Sequence, residues 1–446
     1  MSERPQAIEA QILSGLDEAL GGLPGGEHAT VRAHRRCAAE CFATTGWPAR
    51  HHETWKYTDA SRIRALLSER LWHVPSPAPQ DTGAIERALI PDLDAYQLVF
   101  VGGFLHRSLS HIPEGVTVRS LTDMLHDGEE AALDALAVDA ESVLFNGFVA
   151  LNAAMATDGA VVSVADGVSL EKPLYLVHLP AGNGRAEHVR HHVVLGRGAK
   201  AVVIEHFAGL DGSTGLTNSV SRVELHDNAS LEHYRLQLEA DTRFHVGRIE
   251  VVQHRDSRYV SHAVALGSAL SRVDLVSQLK GQGAECTMNG LYLLGGRQHA
   301  DHHTYIDHAT PHGRSRENYR GVLAGRAHGV FNGKIVVSEG AVKTDSEQSN
   351  ANLLLSDDAE VDTKPELEIY NDDVKCAHGA TVGQMDTTQL FYLRSRGLAE
   401  DAARNMLTFA FADEVLASIG LDRVRTFLER EALKRLPGGS TMEGLV

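Results

Sequence analysis

The sequence predicts a mainly β protein: a right-handed parallel β-helix (solenoid) core with a helical N-terminal region and a C-terminal helical domain. Two observations carry the core. From about Gly159 onward, short alternating strands follow one another for more than 200 residues with few helical signals. Within them a weak repeat, Leu-x-x-x-Ala, recurs at Leu195/Ala199, Leu225/Ala229, Leu323/Ala327 and Leu355/Ala359, with a looser copy from Leu279 to Ala284. Adjacent copies lie about 30 residues apart, a period in the range of stacked coils. One coil cannot bury its own apolar face, so stacking supplies the core and the ends must be capped. The segment before Gly159 and the tail after Gly397 are the expected caps. A β-sandwich also shows short strands at regular spacing and is the rival; the repeat favours the coil.

Residues 1–75 read as helical. Ile8, Ile12, Leu16 and Leu20 make one apolar stripe, ended by Gly21, Gly22 and Pro24. A second helix from about Thr30 to Ala43 carries Cys37 and Cys41 on one face. No second Cys or His pair stands nearby to complete a tetrahedral site, so buried apolar volume is their expected role. Trp47-Pro48 stops this helix, and a third follows with Thr58 or Asp59 as N-cap and Ile63, Leu66 and Leu67 facing inward.

Residues 76–158 read as a mixed α/β entry segment. Pro75, Pro77 and Pro79 mark a stiff linker. Tyr96–Val101 and Phe104–Leu105 flank Gly102-Gly103, a hairpin signal, and helical stretches lie near Leu121–Leu125 and Val143–Met155. Residues 159–397 are the expected β-helix core. In the tail, residues 398–446, Ala402, Met406, Leu407, Ala410, Phe411 and Leu416 follow helical spacing, and Val424, Phe427, Leu428 and Leu433 make a second amphipathic helix after Gly420.

A formal net charge of −17 argues against a nucleic-acid binder, since no basic field would attract phosphate. No apolar run approaches the roughly 18 residues that span a bilayer, and a cytoplasmic protein without a membrane partner is expected. Four cysteines are too few for a disulfide framework and suggest a reducing compartment. Many of the 25 histidines crowd between His178 and His328, where ladder or surface roles are the ordinary expectation.

Enzyme signatures are sparse. Gly329-Val-Phe-Asn-Gly333-Lys334-Ile335 approaches a P-loop, but it is one residue short, and Ile335 replaces the hydroxyl that would hold Mg²⁺. It reads as a tight turn, so no nucleotide is expected on this chain. His299, His302, His303, His308 and His312 suggest metal ligands, but His302 and His303 point to opposite faces of a strand. The sharper pair is Cys376 and His378, which share one face of an extended strand. A thiolate and an imidazole can bind Zn²⁺, iron or an iron–sulfur intermediate, yet a closed site needs about four ligands. The other reading is a buried cysteine beside a backbone-bonded histidine.

The run Gly329-Val-Phe-Asn-Gly333, Ala341-Val-Lys-Thr-Asp345, Thr363-Lys-Pro-Glu-Leu-Glu-Ile-Tyr370 and Asp372-Asp-Val-Lys-Cys-Ala-His-Gly-Ala-Thr-Val-Gly383, closed by Ser395-Arg-Gly397, resembles the SufB/SufD family of iron–sulfur cluster assembly scaffolds. Trp55-Lys-Tyr-Thr58, Leu151-Asn and Asp158-Gly extend the likeness upstream; it is thin from about 75 to 140. The SufB branch often carries an N-terminal C-x-x-C-x-x-x-C motif, which Cys37 and Cys41 do not match, so the SufD branch fits better. Cys286 has no supporting flanks and stays unassigned.

The resemblance implies a complex with a SufB-type sister subunit and a SufC-type ATPase, and a transient iron–sulfur cluster or iron at the subunit interface. It implies His378 as interface ligand, with Cys376 as a second candidate. The tail becomes the ATPase-docking surface, with Arg404, Met406, Leu407, Phe411 and Phe427 as partner-binding residues. The chain is then an accessory scaffold subunit rather than an enzyme. The alternatives are a metal-free interaction scaffold, a homodimer paired through the strands of 372–393, and, more remotely, a β-helix carbohydrate-active enzyme.

Overall fold

The computed structural model describes residues 12–68, 70–75, 82–111, 117–210 and 212–436. Ile8 of the first stripe and Pro77 and Pro79 of the linker lie outside them.

The leading strands are β1 (Tyr96–Val101), β2 (Phe104–Leu105) and β3 (Thr117–Ser120). The coil strands then run β4 (Ala160–Val164), β5 (Leu174–Leu179), β6 (Arg185–Leu195), β7 (Lys200–Ala208), β8 (Gly215–Leu225), β9 (Ser230–Leu238), β10 (Arg243–Gln253) and β11 (Arg258–Ala265). They continue as β12 (Leu270–Leu279), β13 (Glu285–Leu294), β14 (His299–His308), β15 (Arg314–Leu323), β16 (His328–Val337), β17 (Asp345–Leu354), β18 (Glu360–Ile369) and β19 (Lys375–Gln384). Odd strands from β5 to β19 join β1 and β2 in a ten-stranded sheet; even strands from β4 to β18 join β3 in a nine-stranded one. The sixteen strands from β4 to β19, two to a coil, make a parallel solenoid of eight coils.

The repeat marks the corners. Leu195, Leu225, Leu279 and Leu323 close strands, Ala199, Ala229, Ala284 and Ala327 stand just before the next, and all eight are fully buried. Burying a leucine is worth roughly 1.5–3 kcal/mol, so each corner helps hold its coil to the stack. A small residue is needed where the chain turns inward, and Gly198 and Asn228 before Ala199 and Ala229 take φ of 67° and 61°.

Leu176, Val203, Leu231, Ile249, Met288, Ile306, Phe331 and Ile335 fill the space between the sheets. The tail helices Glu400–Leu416 and Asp422–Arg435 lay Ala412, Val415, Leu416, Val424, Leu428 and Leu433 against Tyr234, Leu236, Leu291, Leu293 and Val322 on the outer face of the odd sheet. The tail expected as a cap is therefore a flank. Its apolar stripes find alternating strand residues that point outward, and among the described residues no helix covers the β18/β19 end. Helices Leu16–Gly22, Ala29–Thr45, Ser61–Leu67 and Gly147–Met155 pack with Leu216, Phe244 and Leu270 at the starts of β8, β10 and β12.

Five further readings are corrected. Gly329–Gly333 is no turn; it lies inside β16. A Cβ at Gly333 would overlap the Gln348 amide, and one at Gly329 would crowd the Tyr292 ring, so these glycines make room across the coil. The helix after β19 begins at Thr387, ahead of Gly397, because the Asp386 carboxylate accepts from the Thr388 and Gln389 amides. The strands end at Gln384, short of residue 393. Cys37 is exposed and Cys41 half-buried, because the buried stripe of their helix runs through Val31, Arg35, Ala38, Ala39 and Phe42. Thr58 caps nothing: Ala60 is the N-cap of Ser61–Leu67, and the buried Thr58 hydroxyl donates to Asp301.

That last contact docks the N-terminal region on the even sheet. Arg272 bonds Asp301 at 2.7 Å and lies over the Trp55 ring at 4.0 Å. Burial alone would raise the Asp301 carboxyl; the Arg272 guanidinium and His303 outweigh it and hold it far below the usual carboxylate range.

Candidate functional site

The last coil is unlike the others. Among the described residues β19 pairs only with β17, and β18 only with β16, so within them both sheets end there in a strand with one free edge. Exposed large apolar side chains concentrate beside it: Ile369 at the end of β18 and Tyr370 just after it, Val382 on β19, and Phe391 and Tyr392 on the Thr387–Ser395 helix.

Parallel register fixes where the sequence-predicted pair points. In β17, Ser346, Gln348, Asn350 and Asn352 are buried toward the interior, while Glu347 and Ser349 are exposed. Cys376 lies opposite Ser346 and His378 opposite Gln348, so both face inward, into the mouth of the coil. His378 is exposed because no further coil covers it; Cys376 is half-buried, packed against the interior core. Burial, helped by the Asp345 carboxylate, pushes the Cys376 thiol up. The two are thus brought to one opening.

Beneath them stand polar residues that the sequence reading passed over. Counting back through the register, His378 stacks on Gln348, Glu317, Met288, Ser261 and His233. The Gln348 amide donates to Glu317, whose carboxyl burial pushes up to about 7. Glu317 Oε1, Gln348 Oε1 and Thr363 Oγ1 on the facing β18 have no hydrogen-bond partner. Unsatisfied buried oxygens in a native interior are uncommon, and three gather under this opening. A step of about 30 residues back from His378, the period of the repeat, lands on Gln348 and then Glu317; that was the available signal.

The neighbouring column holds Cys376, Ser346, Ser315 and Cys286. Ser315 and Ser346 hydroxyls bond at 2.8 Å, and His308 Nε2 lies 2.9 Å from Ser315. Cys286 is buried and its thiol pushed up to about 12 by that burial, so it is an un-ionised core residue at neutral pH. Ten of the sixteen histidines from His178 to His328 are buried rather than on the surface, among them His178, His191, His206, His233, His245, His302, His303 and His308. Several belong to an ionic network in the middle coils, where Glu205 meets Arg235 at 2.8 Å and His233 at 3.1 Å, and Glu239 meets His245 at 2.7 Å. His302 stacks on Tyr292 inside the coil, and His303 lies outside with Asp301, as their alternation requires.

The partner-binding candidates divide. Arg404 and Met406 are exposed. Leu407 and Phe411 are half-buried and line a cleft of about 410 Å³ between β19, the Thr387–Ser395 helix and the first tail helix. Arg320 lies over Phe411 at 4.7 Å. Phe427 turns inward against His206, 5.6 Å between centroids. Among the described residues no helix is long and apolar enough to cross a membrane.

Comparison with known proteins agrees with this architecture. Residues 178–411 match the SufBD core domain of the SUF system for FeS cluster assembly, and residues 9–176 match the SufBD protein N-terminal region. The chain is 33% identical to the iron–sulfur cluster assembly protein SufD of Escherichia coli over 94% of its own length and 100% of that protein. It is 32% identical to a SufBD family protein of Synechocystis over 90% of both chains. Against SufD of Bacillus subtilis it is 28% identical over 62% of this chain and 64% of that one. With both family regions matched in order, the chain belongs to the SufBD family of iron–sulfur cluster assembly proteins and is of the SufD type.

Proposed function

We propose that this chain is the scaffold subunit of a SUF-type complex and that its open coil end forms half of a shared assembly site. The observation that carries the reading is the uncapped β18/β19 end, which presents His378 and Cys376 at the mouth of the interior with two free strand edges around them. Free edges pair with another chain, and the apolar side chains beside them would be buried when they do. The partner that fits is a SufB-type sister subunit whose own coil end meets this one and supplies the remaining ligands. A SufC-type ATPase would dock on the tail through Arg404, Met406, Leu407 and Phe411 of the first tail helix, with Phe427 of the second, packed against His206, supporting that surface from beneath.

The cluster under construction is the cargo, and the residues act as donors. His378 offers an imidazole nitrogen, and Cys376 must lose its proton to ligate. The raised Cys376 thiol holds that proton in the free chain, so ligation there begins when a metal displaces it. ATP-driven movement of the tail would open the interface and admit iron and sulfide. The chain itself is a binding and positioning subunit.

The test is anaerobic reconstitution with ferrous iron and sulfide, followed by absorption spectroscopy, on the chain alone and with its sister and ATPase subunits. A cluster that forms only in the complex, and is lost in His378→Ala while the complex still assembles, is the expected result. Normal cluster yield from His378→Ala overturns the ligand role. A cluster formed on the isolated chain as a homodimer would make the partner end a second copy of this one.

A further inference from the structure

The solenoid repeat builds a second group of ligands far from the open end. β8 and β10 are neighbours in the even sheet, with Leu225 opposite Gln253. His226 and His254 follow directly, so they hold the same corner position on successive coils. The His254 amide donates to Leu225 O at 2.9 Å, which locks that offset. Their rings stack 5.2 Å apart and within 7° of parallel. Glu224 stands two residues before His226, on the same side of the strand. Its Oε1 lies 3.2 Å from His254 Nε2 and 3.7 Å from His226 Nε2. The three ligand atoms all fall within 4.8 Å of one another. At the corner of the preceding coil the equivalent residue is Gly196, whose amide bonds Val164 O, so no side chain stands over His226 there.

We infer that Glu224, His226 and His254 form a binding site for a divalent transition metal such as Zn²⁺ or Fe²⁺. Two imidazole nitrogens and one carboxylate oxygen are the donor set that such borderline cations prefer. Ligand bonds of about 2.0–2.2 Å place donor atoms roughly 3.0–3.5 Å apart around one ion; one Nε2–Oε1 separation, 3.2 Å, falls inside that range and the other, 3.7 Å, just above it. The side chains are 40%, 40% and 38% exposed, so an ion reaches them directly and water completes its coordination. Because the two histidines sit on different coils, a bound ion ties one coil to the next.

The second group of this kind, His328, Glu360 and Asp362, is a weaker host. Arg50, Arg62 and Arg297 line the same cleft and repel a cation. It serves as the internal control.

The experiment is calorimetric titration of the metal-free full chain with ZnCl₂, and anaerobically with Fe²⁺. It is run on the parent, Glu224→Gln, His226→Ala, His254→Ala, His328→Ala and His378→Ala. Cobalt(II) is added as a spectroscopic probe, since its visible bands report imidazole and carboxylate coordination. We expect micromolar binding in the parent and in His328→Ala and His378→Ala, with a tenfold or greater loss in each of the three corner variants. Melting curves of the metal-free variants should match the parent, and added Zn²⁺ should raise the midpoint only where the corner is intact. No binding by the parent overturns the inference. So does binding that survives the corner substitutions, or that disappears with His328→Ala or His378→Ala instead.

Discussion

The two ends of the solenoid solve the same problem in opposite ways. At the entry end, Asp158 takes hydrogen bonds from the Leu105, Thr122 and Gly159 amides and the Ser120 hydroxyl at 2.8–3.1 Å, and so ties β2 and β3 to the first coil. At the exit end the polar groups beneath His378 are left short of partners, and two strand edges stand free. A stack of coils must end somewhere, and each last coil carries a face built for a neighbour. The entry end finds that neighbour within the chain. The exit end keeps the face open, and its candidate ligands stand there.

The contrast can be broken first at the closed end. Asp158→Ala leaves four donors without their acceptor, and urea unfolding should show a loss of about 3–5 kcal/mol. A loss below about 1 kcal/mol would mean that the entry end is held by packing alone.

At the open end the sign reverses. Burial raises the Glu317 carboxyl to about 7 in the folded chain, against an ordinary value of 4.5. Between those values the folded chain holds a proton that the unfolded chain has lost, so this group's contribution falls as pH rises from 4.5 to 7. Above that it levels at a cost of about 3 kcal/mol. Glu317→Gln removes the cost and keeps an oxygen for the Gln348 amide. It should stabilise the chain by up to about 3 kcal/mol at pH 8 and by little at pH 4.5; parallel stability curves for parent and variant would refute the assignment.

The smallest effect sharpens the comparison most. His378 is exposed at the mouth, so His378→Ala should change unfolding stability by less than about 0.5 kcal/mol. A large loss would place the residue among the structural ones.

The coil itself was legible because corner residues repeat in sequence: burial fixes a leucine and an alanine at several of the turns, as at Leu195/Ala199, Leu225/Ala229 and Leu323/Ala327. The Cys376/His378 pair was legible because period-two alternation needs only local spacing. Other features were not. The stripe of Ala402, Met406 and Leu407 says that a helix buries one face, without saying whether the surface it meets is the side of a sheet or the end of a stack. Gly329 and Gly333 read as turn residues because the side chains they make room for, Tyr292 and Gln348, come from other strands. Thr58 has the composition of a helix cap, but its partner Asp301 is 243 residues away. Long-range polar contacts of this kind leave no periodic trace.

Parallel stacking also orders events in time. Each strand pairs with one about 30 residues earlier, so a coil can settle as soon as its predecessor exists. During synthesis the entry end is made first, at ribosomal rates of roughly 5–20 residues per second, and the free edge advances coil by coil. The last strands to emerge before the tail are β18 and β19. The mature molecule therefore carries, as a permanent feature, the growing edge of its own assembly.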